Sequence, residues 1–438
     1  MLLRNTVARV FGCAALVACT DTSSEPPTGP ALGPAAGSTP AAEVHYVETR
    51  LSEQNGAATA INRSGQVAGY AFIDNDIRSF IWQNGTMRFI GSLGGGSTFA
   101  HAINDAGDVA GESNTAGGKR RAFIWQNGTM RNLGTLGGAE SSIAFGMDGT
   151  GRVVGVTQKI GGPILAFIWE NGTMQRLAGL DTGYSWAHDI DNLGRVVGEY
   201  GNIGAPRAFL WVAGKLTDLG TLGGPTASAF AIGPDGKIVG QSTTATGANR
   251  AFMWQNGVMT GLGTLAGGTS GAVGISGLSH VVGLSQAPEA RFSSVFLWKD
   301  GVKTNVGVGS GYGVNRDGWV VGVSQLLGSY AAIWRPTTDP PPAPGNLQVG
   351  SSYFLSLRNW SINPAVDTVP VGTTVTWTWA SGKAVSHSVQ SVGSPSFPSS
   401  ELMGGIGLTY KVTFNKAGTY LYNCKAHPVK MTGRVIVK

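Results

Sequence analysis

The chain has 438 residues, with 31 Lys and Arg against 25 Asp and Glu, a formal charge of +6, 13% charged residues and 68 glycines. Few runs favour helix, and no transmembrane segment follows the first eighteen residues, which suits an extracytoplasmic globular protein. The small positive excess comes without the interleaved aromatic and basic residues that nucleic-acid binding requires.

"MLLRNTVARVFGCAALVACT" opens the chain with Arg4 and Arg9 ahead of the short apolar run Val10–Ala18. This is a signal-peptide layout, too short to span a bilayer. Leu16-Val17-Ala18-Cys19 resembles the lipobox of bacterial lipoproteins. That resemblance implies a signal peptide over residues 1–18, lipid on Cys19, and a protein anchored to a bacterial membrane in the cell envelope, facing the periplasm or the cell exterior. Residues 19–43, rich in Pro, Ser, Gly and Ala, read as a disordered tether. Of the three cysteines, Cys13 leaves with the signal and Cys19 carries lipid, so Cys424 has no disulfide partner in the mature chain. A lone thiol in an oxidising compartment calls for burial or a metal.

From residue 44 to 335 one sentence recurs: "AFIWQNGTMRNLGTLGG", "AFIWENGTMQRLAGL", "AFLWVAGKLTDLGTLGG", "AFMWQNGVMTGLGTLAGG". Its markers are Trp82, Trp125, Trp169, Trp211, Trp254, Trp298 and Trp334, mostly about 43 residues apart. Each unit divides into four short apolar stretches, as in "FAHAIN", "DVAGES", "RAFIW" and "MRNLGTL". Asn-Gly pairs such as Asn127-Gly128 mark tight hairpins, because both residues accept positive φ. Four strands per unit and seven units predict a seven-bladed β-propeller. The N-terminal "VHYVETRL" resembles the fourth stretch that the seventh unit lacks, so the two ends are complementary and would close the ring; a linear solenoid needs no such ends. The units resemble the HAF family of extracellular repeats through "AFLW…G…LGTLGG" and "AIN..G.VVG.S", a family likeness that implies no activity.

The array offers little chemistry. Its histidines are His45, His101, His188 and His280. His101 and His188 occupy equivalent places in units two and four, where the other units carry Thr59, Phe145, Phe230, Val273 and Tyr312. They read as packed side chains. The "NGT" sequons at Asn84, Asn127 and Asn171 read as hairpin turns rather than glycosylation sites. What remains is a loop-lined rim around a central channel, with an unknown ligand.

A proline-rich linker, residues 336–346, leads into residues 347–438, whose segments "TTVTWTWA", "SHSVQSV", "LTYKVTF", "GTYLYNC" and "GRVIVK" alternate as strands of an antiparallel sandwich. Cys424, His427 and Met431 follow one strand, and His387 lies 37 residues before Cys424. Two imidazoles, a thiolate and a weak axial thioether are the donor set of a type 1 (blue) copper site. "VPVGTTVTW", "SHSV" and "GTYLYNCKAHPVKMTGRVIV" resemble the plastocyanin-like cupredoxins, implying a Greek-key sandwich with one mononuclear copper on His387, Cys424, His427 and Met431. Three residues separate His427 from Met431, where plastocyanin-like proteins usually have four and amicyanin-like ones two, so the axial bond is the variable part; Met403 in "ELMGG" ranks behind Met431 for that place.

The order of propeller then cupredoxin is similar to nitrous oxide reductase. That family needs a histidine-rich cluster in the propeller and two cysteines in the cupredoxin, whereas this array has four histidines and this domain one cysteine. No C-x-x-C-H motif attaches haem. Residues 346–438 hold eight Lys and Arg against Asp367 and Glu401, which accounts for the whole formal excess. Lys425 and Lys430 sit within the ligand loop and would steer an acidic redox partner. The expected function is electron transfer, not enzyme catalysis, in a lipid-anchored envelope protein whose propeller serves as docking platform. The alternative is a non-redox binding propeller carrying a copper-holding or degenerate cupredoxin.

Overall fold

A computed structural model describes residues 44–438 apart from 181–182, 289, 291, 326–327, 340–344, 350–352, 359–361, 363 and 381–385. The signal peptide, the tether, Cys13 and Cys19 lie outside the described residues, as does the middle of the linker.

Units two to five each form a four-stranded antiparallel meander, for example Gly94–Ile103, Val109–Thr115, Arg120–Gln126 and Thr129–Asn132. One register recurs: the marker tryptophan faces the first residue of the second strand, as in Val67↔Trp82, Val153↔Trp169 and Val320↔Trp334. The hairpin after it turns on Asn127 (φ 50°) and Gly128 (φ 85°), repeated at Asn84-Gly85 and Asn171-Gly172. Units six, seven and one share a ten-stranded sheet, because the strands Val302–Val314 and His45–Ile61 each run from one unit into the next. The first half of His45–Ile61 pairs antiparallel with Tyr330–Thr337, from His45↔Thr337 to Arg50↔Ala332.

Adjacent units pack through small apolar cores. Ala68, Ile81, Phe123 and Trp125 join units one and two, and Ala110, Ile124, Phe167 and Trp169 join units two and three. Ala331 and Ile333 of the last unit share a core with Ala58, Phe80 and Trp82 of the first. Polar contacts follow the same path: Asn62 Nδ2 donates to Asn104 O at 3.0 Å, Arg152 Nη2 to Asn192 O at 3.0 Å, and Arg195 Nη2 to Pro234 O at 3.1 Å.

The first strand of every unit carries a one-residue bulge. The residue skipped in the ladder is Thr59, His101, Phe145, His188, Phe230, Val273 or Tyr312. A bulge frees one side chain from the alternation of the strand, and these side chains meet from unit to unit: the Phe145 ring lies 5.6 Å from His101 and 5.8 Å from His188, which lies 5.3 Å from Phe230. His101 and His188 are buried, separated by Phe145. Glu112 Oε1 lies 3.8 Å from His101 Nε2.

Residues 346–438 form two four-stranded sheets. One runs Phe354–Ser356, Asn346–Val349, Thr373–Trp379, Thr409–Phe414; the other runs Ala365–Val369, His427–Val437, Gly418–Cys424, Gln390–Ser391. Asn346–Val349 pairs parallel to Thr376–Trp379 and Ala365–Val369 parallel to Gly433–Val437, so the sandwich is mixed rather than purely antiparallel as the alternation alone predicts. Such pairs join strands distant in sequence, which no hairpin turn can signal. Trp377, Trp379, Phe354 and Tyr422 fill the core between the sheets. The sandwich touches the array: Tyr353 and Leu355 pack with Val308, and Tyr353 meets Phe292 edge to face at 6.2 Å between ring centroids.

Candidate metal centre

His387 precedes the short strand Gln390–Ser391 and is fixed by its backbone: its N–H donates to Met403 O, and Met403 N–H donates back to His387 O, both at 2.8 Å. Cys424 ends the strand Gly418–Cys424, which pairs with His427–Val437 from Gly418↔Val437 to Asn423↔Thr432. There the register jumps, and Cys424 faces His427 across a tight turn at Lys425-Ala426. Residues 428–431 therefore bulge out of the ladder before Met431 returns to the core. The sequence reading makes this stretch a loop before the last strand; here its ends already belong to the paired strands, because the turn after Cys424 is tight enough to set Cys424 beside His427.

The three donors converge. His387 Nδ1 lies 3.6 Å and His427 Nδ1 3.9 Å from Cys424 Sγ, and one ligand atom from each lies within 4.8 Å of the others. Those gaps suit a single ion at bond lengths of about 2.0 Å to nitrogen and 2.3 Å to sulfur. Cys424 and His387 are buried and His427 is half-buried. The second ring nitrogen of His387, Nε2, is buried without a hydrogen-bond partner. Met431 is fully buried in the same core as Cys424, whereas Met403 is only partly buried against that core. The expected residues His387, Cys424 and His427 thus meet, and Met431 is buried in the same core as Cys424.

The electrostatics favour a thiolate. Burial alone pushes the Cys424 thiol up. The Ser388 N–H, the His427 ring and the Ala426 and His427 N–H groups more than offset that and hold it below the usual thiol range. Burial also lowers His387, keeping its imidazole neutral and able to ligate. Ser388, which the sequence reading passed over, is fully buried and accepts the Lys425 N–H on its Oγ at 3.1 Å, tying the His387 segment to the turn after Cys424. The only sequence signal for it was its place beside His387. Lys425 and Lys430 are exposed on either side of His427.

Residues 361–438 match the family of copper binding proteins, plastocyanin/azurin family. The C-terminal domain is a plastocyanin/azurin-family cupredoxin. It is similar to halocyanin from Natronomonas pharaonis, 38% identical over 83 residues, covering 18% of this chain and 50% of that protein. The chain thus spans half the length of this relative. Among solved structures, the purple cupredoxin from Nitrosopumilus maritimus is 26% identical, covering 22% of this chain and 99% of that one with a TM-score of 0.17. A point variant of amicyanin in its oxidised state is 30% identical, with coverages of 22% and 86% and a TM-score of 0.17. The cluster of two histidines, one cysteine and one methionine in this cupredoxin fits one type 1 copper.

Proposed function

We propose that this chain is a lipid-anchored copper protein of the cell envelope that passes single electrons through one type 1 copper, held by His387, Cys424, His427 and Met431. The observation that carries the reading is the convergence of the His387, Cys424 and His427 donors around one buried point. Bound copper supplies a one-electron couple. The protein supplies the rest: Ser388, the His427 ring and the turn amides favour ionisation of Cys424, and the backbone pair with Met403 fixes His387. The packed aromatic core behind Tyr422 keeps the donors from relaxing between oxidation states. Half-buried His427 gives the site its edge toward solvent, and the exposed Lys425 and Lys430 would steer an acidic redox protein there at low ionic strength.

The array, in this reading, is a seven-bladed propeller of the HAF type that serves as a platform for the cupredoxin. Support for a ring comes from the pairing of residues 45–50 with the last unit, and from the core that joins that unit to the first. The packing of Tyr353 against Phe292 and Val308 supports a fixed seat for the copper domain. The cell-envelope placement rests on the signal-peptide and lipobox pattern ending at Cys19.

The test is the visible spectrum of a soluble form starting at Thr20, loaded with Cu(II), beside Cys424→Ser. An intense thiolate-to-copper band that bleaches reversibly on reduction and is missing from the variant is the expected result. Colourless or weakly coloured protein overturns the electron-transfer reading and leaves a binding protein with an inert thiol domain.

A further inference from the structure

Two grooves of the same design lie at consecutive unit interfaces. The first, about 560 Å³, is lined by Gln83, Arg88, Asp108, Trp125 and the Asn127-Gly128 turn. The second, about 600 Å³, is lined by the equivalent Gln126, Arg131, Trp169 and the Asn171-Gly172 turn, with Arg152 where the first has Asp108, and with Glu170. Both volumes fall in the range of small-ligand sites. In each, an arginine from the fourth strand of one unit lies over the marker tryptophan of the next: Arg88 Cζ is 4.7 Å from the Trp125 ring centroid and Arg131 Cζ 5.1 Å from that of Trp169. The tryptophans are buried beneath while the guanidinium groups stay exposed. Neither Arg88 nor Arg131 has a carboxylate partner among the described residues.

The fold does not require these arginines. The residue paired with the one before the marker tryptophan is Arg88 in unit one and Arg131 in unit two, but Gln175, Thr217, Thr260 and Thr304 in units three to six. The same interface is built four times without a cation there. At Gly172 a Cβ would lie 3.2 Å from Arg131 Nη2, so the turn leaves the guanidinium its place.

We propose that these two grooves bind an anionic glycan, a sugar chain bearing carboxylate or sulfate groups, with one anionic group on each arginine. A guanidinium placed over an indole is a preorganised fork for a planar carboxylate or a sulfate. Each groove also holds a carboxylate: Asp108 in the first, which accepts from Gln126 Nε2 and Asn104 Nδ2, and Glu170 in the second, where Arg152 adds a second cation. The other polar groups, Gln83, Thr86 and Asn127 in the first, are neutral amides and hydroxyls that suit a hydroxyl-rich ring. A nucleic acid would need a broad basic field, and outside the cupredoxin the chain is formally balanced. The repeat sets the grooves one unit apart, so a chain spanning both gains avidity that a monosaccharide lacks. This inference deepens the platform role given to the array and is independent of the copper site.

The experiment is calorimetric titration of the whole soluble protein with oligogalacturonate, its neutral methyl ester, dextran sulfate and a DNA oligonucleotide. It is repeated on Arg88→Thr, Arg131→Thr and the double variant. Threonine is the residue that units four to six carry at that place, so the fold is kept, and thermal melting checks it. The expected result is saturable binding of one or both anionic glycans, none of the methyl ester, and a loss of about tenfold in affinity for each single variant. Binding should be abolished in the double variant. Whichever anionic glycan binds identifies the group as carboxylate or sulfate. Binding of neither, binding unchanged in the double variant, or DNA binding with the same arginine dependence each overturns the proposal. The copper band, recorded on the same samples, reports separately on the electron-transfer reading.

Discussion

The repeat array and the cupredoxin are both all-β, yet they locate their chemistry in opposite ways. In the array the same hydrophobic pattern recurs seven times, so a residue that follows the pattern reports only on packing. Information lies in the departures: Arg88 and Arg131 where other units have Gln or Thr, and Asp189 where equivalent places hold Ala60, Ala102, Gly146 or Ala231. In the cupredoxin nothing repeats, and the information lies in convergence, since His387 and Cys424 are 37 residues apart in the chain and 3.6 Å apart in space.

The sharpest way to break the comparison is Trp334→Ala. Trp334 is fully buried among Val282, Val295, Leu297 and Val320, and its Nε1 donates to Glu48 Oε2 at 3.1 Å, so it joins the last unit to both the sixth unit and the N-terminal strand. Removing a buried indole costs about 3–5 kcal/mol. The expected outcome is an array that melts earlier while the copper band survives to the same denaturant concentration. If both signals fall together, the Tyr353 contact has fused the two regions into one cooperative body.

Asp189 tests the rule of departures. Its carboxylate accepts the Ile190 N–H at 2.9 Å and the Ile232 N–H of the next unit at 3.0 Å, yet burial pushes it up to about 7. The folded state therefore holds a proton that the unfolded chain releases near pH 4. The stability this contributes is fully present below about pH 4 and is lost as the pH rises through about 7. Asp189→Asn should flatten that slope, at the loss of one of the two backbone hydrogen bonds, because its amide nitrogen cannot accept an N–H. Urea denaturation at pH 4, 6 and 8 measures it; a parent protein with no slope between them contradicts the assignment.

How much was legible beforehand follows from the same contrast. The hairpins at Asn127-Gly128 and its equivalents were readable because positive φ is a local demand met by few residues. The four metal donors were readable because their chemistry is rare. The bulges at His101, Phe145 and His188 were not, because skipping one residue in the ladder leaves the apolar pattern of the strand nearly unchanged. Neither was the packing of Tyr353 on Phe292, where two apolar residues from different regions meet without any pattern linking them.

Ser388 is the smallest test and bears on what the turn after Cys424 needs. Its hydroxyl accepts from the Lys425 N–H, while its own N–H donates to Cys424. Ser388→Ala removes the first bond and keeps the second. Lys425 is exposed, so its freed N–H can turn to water, and the loss should be about 1 kcal/mol in the melting of the copper domain. The array transition should not move, and the copper band should keep its position, since the amide that stabilises the thiolate is untouched. A large shift of that band would mean that the hydroxyl, by holding the turn against the His387 segment, fixes the distance between His387 and Cys424. The turn would then depend on a side chain, as the array's turns at Asn104, Asp148 and Asp191 do, whereas its Asn-Gly hairpins rest on positive φ.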